Sequence, residues 1–161
     1  MEIRTDLKDF VRALTEVLEE VDPYTRHHSL RVAQYAVRLA RGMRLPEHEV
    51  IKTIVMHTET GRPLLVLMHG DQRVSSQRLT RTLGARRVRA SSPEAALEVT
   101  GYVIGGISPF GTRTRLPIYA EASIFDLPRI FINGGRRGLL LEIDPQVLRQ
   151  TLELYAVSVA S

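Results

Sequence analysis

The sequence predicts a mixed α+β domain, a partly barrel-like sheet of six or seven strands with helices on its outside, preceded by a helical N-terminal region. Three observations predict it. Ile51–His57 and Pro63–Met68 are apolar runs of strand length, β-branched or leucine-rich, and Glu59-Thr60-Gly61-Arg62 between them reads as a hairpin turn. Ser92-Pro93-Glu94 opens a helix with a cap, a proline and an acid in that order, and Thr100-Gly101 closes it. The third observation is Thr100–Pro117, TGYVIGGISPFGTRTRLP, which holds four of the chain's 11 glycines and two of its 8 prolines. That stretch cannot be a long helix or a central strand, so a loop of fixed irregular path is expected there.

The remaining elements follow in chain order. Residues 6–21 carry Leu7, Phe10, Val11, Leu14, Val17, Leu18 and Val21 at three- and four-residue steps, which predicts an amphipathic helix ended by Asp22-Pro23. A second helix is expected from about Thr25 to Arg41, stopped by Gly42. These helices make residues 1–44 a region of their own, followed by the main domain over 45–161. A short helix is expected after Pro46, a further helix over Ser75–Leu83 ended by Gly84, and a strand over Arg86–Ala90. Strands are expected at Ile118–Ala120, Arg129–Asn133 and Leu139–Ile143, with a tight turn at Asn133-Gly134-Gly135. Asp144-Pro145 begins a last helix to about Glu153, and Tyr155–Ala160 reads as an edge strand.

Composition narrows the chemistry. The 161 residues suffice for one domain with a proper core, and hydrophobic residues at 43% with charged residues at 25% are ordinary for a globular chain. Cysteine is absent, which removes disulfides, thiolate metal sites and a cysteine nucleophile together. No apolar run approaches the ~20 residues that span a bilayer, and MEIRTDLKDF is not a secretion signal, so a cytoplasmic protein without a membrane partner is expected. The net charge of +4 is concentrated in the middle: Arg62–Arg115 contains nine arginines against Asp71, Glu94 and Glu98, while the segments on either side are each slightly acidic. A basic sector beside a Gly/Pro loop fits a phosphate-bearing partner, because arginines that neutralise phosphates release counterions.

No Ser-His-Asp constellation or Gly-x-Ser-x-Gly elbow can be assembled from the sequence. The loop supplies a different kind of surface. Gly105-Gly106-Ile107-Ser108-Pro109 lets a ligand approach the main chain, and Pro109 stiffens its end, which favours presentation of backbone N–H groups.

With VIKTIV at Val50–Val55, TGYVIGGISPFG at Thr100–Gly111 and INGGRRGLLLEI at Ile132–Ile143, the chain resembles the YbaK-like aminoacyl-tRNA deacylases, a family that includes the editing domain of many bacterial prolyl-tRNA synthetases. The likeness runs over about residues 45–150. It implies hydrolytic removal of a wrongly attached amino acid, Ala or Cys, from tRNA, with tRNA(Pro) the first candidate, without metal or cofactor, and with attack by water or by groups of the substrate. It implies catalytic positions at Lys52, Gly105 and Pro109, with Lys52 facing the bound aminoacyl end across one cavity from the loop. Substrate-binding positions are implied at Thr53, Gly106, Ile107, Ser108, Phe110, Asn133, Gly134 and Gly135. Phe110 would help close the pocket, and Asn133 stands where family members usually carry serine. The implied partners are the aminoacylated 3′ end of tRNA and a prolyl-tRNA synthetase, with no DNA.

Two other readings belong beside this one. A non-catalytic module that binds a tRNA end or a nucleotide would use the same basic sector and loop. Separately, DPYTRHHSLRVAQYAVRLARGMRLPEHEV, within residues 22–50, resembles the opening helices of HD-type metal phosphohydrolases, the HD-GYP group included. That resemblance would need metal at His27, His28 or His57, yet Thr58 stands where its second motif carries aspartate.

Overall fold

The computed structural model describes residues 45–161; the helices expected over 6–21 and 25–41, together with His27 and His28, lie outside the described residues. Among the described residues seven strands form one mixed sheet: β1 (Val50–Thr58), β2 (Pro63–His69), β3 (Val88–Ala90), β4 (Ile118–Glu121), β5 (Ile130–Asn133), β6 (Leu140–Ile143) and β7 (Leu154–Val157). Three α-helices of the described residues accompany it: α1 (Ser76–Leu83), α2 (Pro93–Thr100) and α3 (Gln146–Thr151). The strand order is β6-β5-β1-β2-β4-β7, and β3 pairs with β1. β1–β2, β1–β3 and β5–β6 are antiparallel, whereas β1–β5, β2–β4 and β4–β7 are parallel.

β2 sits at the centre, and its sequence says why. Leu64, Leu65, Val66, Leu67 and Met68 are all buried, an unbroken apolar run suited to a strand covered on both faces. Leu65 and Leu67 join Ile51, Val55, Ala96, Ile107, Phe110, Ile132 and Leu148 in one core. Leu64, Val66 and Met68 join Met56, Leu79, Val88, Val157 and Val159 in the other. Alternation along the strand therefore divides the molecule: α2, α3 and the 101–117 loop cover one face, and α1 with the C-terminal residues covers the opposite face.

Local chemistry sets most boundaries. The hydroxyl of Ser75 accepts from the Arg78 amide to start α1, which ends at Gly84 in the left-handed conformation. Ser92 caps α2 through the Ala95 amide, with Pro93 in the first turn, and Gly101 ends it. β3 is shorter than the expected Arg86–Ala90 strand because the Glu59 carboxylate takes the amides of Arg86 and Arg87 at 3.3 and 3.2 Å. The last helix stops at Thr151, two residues before the expected end. A 3-10 helix at Ala122–Asp126 was not expected, and it places Ile124 and Phe125 in the core.

A buried carboxylate helps fasten the C-terminus, which also bridges to Val74 and bonds the main chain of Arg73 and Ser75. Glu121 Oε2 accepts the amides of Val159 and Ala160 at 2.7 and 2.8 Å, which holds the end of the chain against β4.

Candidate functional site

The outer edge of β1 is shared by two partners that do not meet. β5 pairs at Val50 and Ile51, β3 pairs at Met56–Thr58, and among the described residues Lys52–Val55 have no strand partner on that edge. Only the Ser91 amide reaches it, donating to the Val55 carbonyl at 2.9 Å. Beside this notch β5 runs into the Asn133–Gly135 turn, and the glycine loop packs on that turn.

The loop is a tied structure. Its ends are pinned to α2 by the Arg113 and Thr114 amides, which donate to the carbonyls of Thr100 and Val99 at 3.0 Å each. Inside, the Gly106 amide closes a turn on the Val103 carbonyl at 2.9 Å, with Gly105 at φ 86°, a conformation that suits glycine. The Tyr102 hydroxyl donates to the Phe110 carbonyl at 2.6 Å, and the Phe110 amide donates to Ser108 Oγ at 3.2 Å. Burial pushes the Tyr102 phenol above its ordinary pKa.

Asn133 joins loop and turn. Its side-chain amide donates to the Gly105 carbonyl at 2.9 Å, while its Oδ1 accepts the Gly135 amide at 2.8 Å. Arg137 Nε donates to the Ile104 carbonyl at 2.8 Å. The packing at Gly106 has no room to spare: a Cβ there would lie 3.2 Å from main-chain atoms of Arg136 and Arg137. Gly105, Gly106, Asn133, Gly134 and Gly135 are thus brought together, with Gly105 exposed and Gly106 and Gly134 buried in the contact. Ile107, Ser108 and Pro109 are buried at its back, and among the described residues no acceptor takes the amides of Ile107 or Ser108. Phe110 is fully buried in the core beneath the loop, packed with Ile107 and Val55, so its ring supports the loop from below.

Lys52 and Thr53 divide between the two faces of β1. Thr53 lies on the Ile51 and Val55 side, which the loop covers, and its Oγ1 is buried with no hydrogen-bond partner among the described residues. A buried hydroxyl without a partner is unusual enough to mark a place for a ligand group or a water. Lys52 leaves on the side of Ile54 and Met56, away from the Ile107–Phe110 face, so the single cavity expected between Lys52 and the glycine loop is not formed, because alternation along β1 turns the two to opposite faces; its Nζ donates to the carbonyls of Gly70 and Gln72 at 3.0 and 2.6 Å. One of its three N–H groups remains for another acceptor.

A polar cluster that the sequence did not reveal holds the turn bearing those carbonyls. His69, fully buried, donates from Nδ1 to the His48 carbonyl at 2.6 Å, which leaves Nε2 as acceptor for the Ser123 hydroxyl at 2.8 Å. The His48 ring stacks on His69 with centroids 3.8 Å apart and contacts Asp71 at 3.0 Å. No short motif could have pointed to it, because His69 and Ser123 are 54 residues apart. Tyr102 and Arg137 were also passed over, although both stand within the motif stretches. His57, the one described histidine of the alternative metal set, bonds Ser91 Oγ at 3.0 Å.

An α+β domain whose glycine loop is locked to a strand-end turn beside an unpaired strand edge is the class of structure these residues define. The aminoacyl-tRNA editing domain family matches residues 32–151, and the chain belongs to that family. It is 24% identical over 113 residues to EbsC of Enterococcus faecalis, named as a Cys-tRNA(Pro)/Cys-tRNA(Cys) deacylase; the match covers 70% of this chain and 69% of that protein. It is 30% identical over 86 residues to a proline–tRNA ligase of Brachyspira hyodysenteriae, spanning 53% of this chain and 15% of the ligase. Among solved structures, one described as a trans-editing enzyme for prolyl tRNA synthetase superposes with TM-score 0.64 at 26% identity, covering 76% of this chain and 85% of that one. Among the described residues no helix is long and apolar enough to cross a membrane.

Proposed function

We propose that this protein is an aminoacyl-tRNA deacylase that acts in trans, removing Ala or Cys from mischarged tRNA, with tRNA(Pro) the first candidate. The observation that carries the reading is the union of the glycine loop with the Asn133–Gly135 turn through Asn133 and Arg137, in a chain of the editing family. An aminoacyl ester is already activated, so its hydrolysis needs orientation and a place for the oxyanion more than a protein nucleophile. The amides of Ile107 and Ser108 are the donors available to orient the ester carbonyl, and Pro109, which has no N–H, fixes the end of that stretch.

Water attacks the carbonyl carbon while a ribose hydroxyl of the substrate takes up and relays its proton, the bond to the esterified ribose oxygen breaks, and that oxygen receives the proton. The products are the free amino acid and a tRNA with its 3′ end restored. Thr53 Oγ1 and the Gly134-Gly135 main chain line the notch around the aminoacyl group. Lys52 lies on the opposite face of β1 from the loop and acts through the Gly70–Gln72 turn that it holds. Selection against proline by size alone is worth only about 1–3 kcal/mol.

The test is release of amino acid from Ala-tRNA(Pro) and Cys-tRNA(Pro) by wild type and Lys52→Ala. Acceleration by wild type and a clear loss in the variant are expected. Equal rates for both proteins would remove Lys52 from the mechanism, and no acceleration by wild type would leave a binding module in place of an enzyme. A requirement for a prolyl-tRNA synthetase is tested by adding one to the same assay.

A further inference from the structure

Beyond the notch, the same edge of the sheet leads to an arginine-lined groove. It has a volume of about 580 Å³ and lies between α1 and β3, with Arg81, Arg86, Arg87 and Arg89 on its walls beside Gln77 and Thr80. Gln77, Thr80 and Arg81 fall on one side of α1 by their three- and four-residue spacing, opposite Leu79, which is buried in the core. β3 pairs only with β1 among the described residues, so the groove runs along an open strand edge.

The charge of the groove is only partly compensated, by Glu59, whose charge interacts with that of Arg86. Among the described residues no carboxylate lies within ion-pair distance of Arg81, Arg86, Arg87 or Arg89. Glu59, the neighbouring acid, accepts from the main-chain amides of Arg86 and Arg87, so it shapes the wall of the groove. Four arginines lining one groove, none of them in an ion pair among the described residues, suit a ligand with several phosphates in series, because a guanidinium forms charge-assisted, often bidentate bonds to phosphate oxygens.

Position selects among phosphate ligands. The groove adjoins β3, whose partner residues Met56–Thr58 lie on β1 just past the unpaired Lys52–Val55 notch. Thr53 and Thr58 are separated by about 17 Å along the strand. We propose that the groove binds the sugar–phosphate backbone of RNA immediately upstream of the 3′ terminus held at the notch. This rests on the deacylase reading for where the terminus sits, and it assigns to the groove the attraction that the basic sector implies.

The experiment measures binding of uncharged tRNA across a salt series to wild type, to Arg81→Gln/Arg87→Gln, and to Arg115→Gln/Arg149→Gln, which removes equal charge elsewhere. The groove variant is expected to bind roughly tenfold more weakly at low salt, with a salt slope lower by about 1.5–2, and the control variant to change much less. Equal affinity and slope in the two variants would overturn the proposal. So would a groove that takes inorganic triphosphate while the groove variant binds tRNA as tightly as wild type. Hydrolysis of an aminoacylated CCA trinucleotide separates the two readings. The groove variant should cleave it at the wild-type rate, and a wild type that leaves it intact yet loses tRNA binding on groove mutation would contradict the deacylase reading alone.

Discussion

Asn133 donates its side-chain amide to the Gly105 carbonyl at 2.9 Å, across 28 residues of sequence, and the same side chain accepts the Gly135 amide. One residue therefore sets the conformation of its own turn and the distance from that turn to the loop. Replacing Asn133 by Ala leaves both main-chain groups without their partner. Equilibrium urea unfolding should show a loss of about 1–2 kcal/mol for Asn133→Ala. Asn133→Ser should recover part of it, since a serine hydroxyl can still take the Gly135 amide.

Tyr102 gives a prediction with a pH dependence. Its phenol is raised above the model-peptide value of 10.0 by burial, so the folded state keeps a proton that the unfolded state gives up. Stability is then fully present below about pH 10 and declines as pH rises toward the folded pKa. Tyr119 adds to the same slope, raised by burial and by the neighbouring Tyr155. Thermal unfolding between pH 9 and 11 should fall less steeply for Tyr102→Phe than for wild type. At neutral pH that variant should be less stable by about 1–2 kcal/mol, because the Phe110 carbonyl loses its donor.

Glu121 tests the fastening of the C-terminus. Removing its carboxylate in Glu121→Ala leaves the Val159 and Ala160 amides without an acceptor beside a buried valine. A loss of about 2–3 kcal/mol is expected, with faster hydrogen exchange at those two amides and little change at the glycine loop. Unchanged exchange there would show that the end of the chain is held by its packing and its main-chain bonds to Arg73 and Ser75.

Much of this architecture was legible from local punctuation. Ser75 and Gly84 bound α1, Ser92-Pro93 and Gly101 bound α2, and the β1–β2 hairpin falls at Glu59–Arg62, because caps and turns are written in neighbouring residues. The Ala122–Asp126 helix was not legible, since it has no capping side chain and depends on Ile124 and Phe125 finding the core. The glycine loop announced itself by composition. The face to which Lys52 turns did not: alternation separates it from Ile51 and Val55, but only the packed structure reveals that Ile107 and Phe110 cover the Ile51 side. The His48, His69, Asp71 and Ser123 cluster was hidden for the same reason, its members being joined by folding alone.

The central claim is that a main-chain surface, the glycine loop locked to the Asn133–Gly135 turn, hydrolyses the ester. Gly106→Ala challenges it most directly, because the added Cβ meets main-chain atoms of Arg136 and Arg137 at 3.2 Å, so loop and turn must shift apart by a few tenths of an ångström. The measurement is the single-turnover rate of amino acid release from Cys-tRNA(Pro) and Ala-tRNA(Pro), with folding checked by thermal unfolding. A wild type that accelerates release from at least one of them, with Gly106→Ala folded and slower by about tenfold, is the predicted result. A folded Gly106→Ala that releases the amino acid as fast as wild type would contradict it.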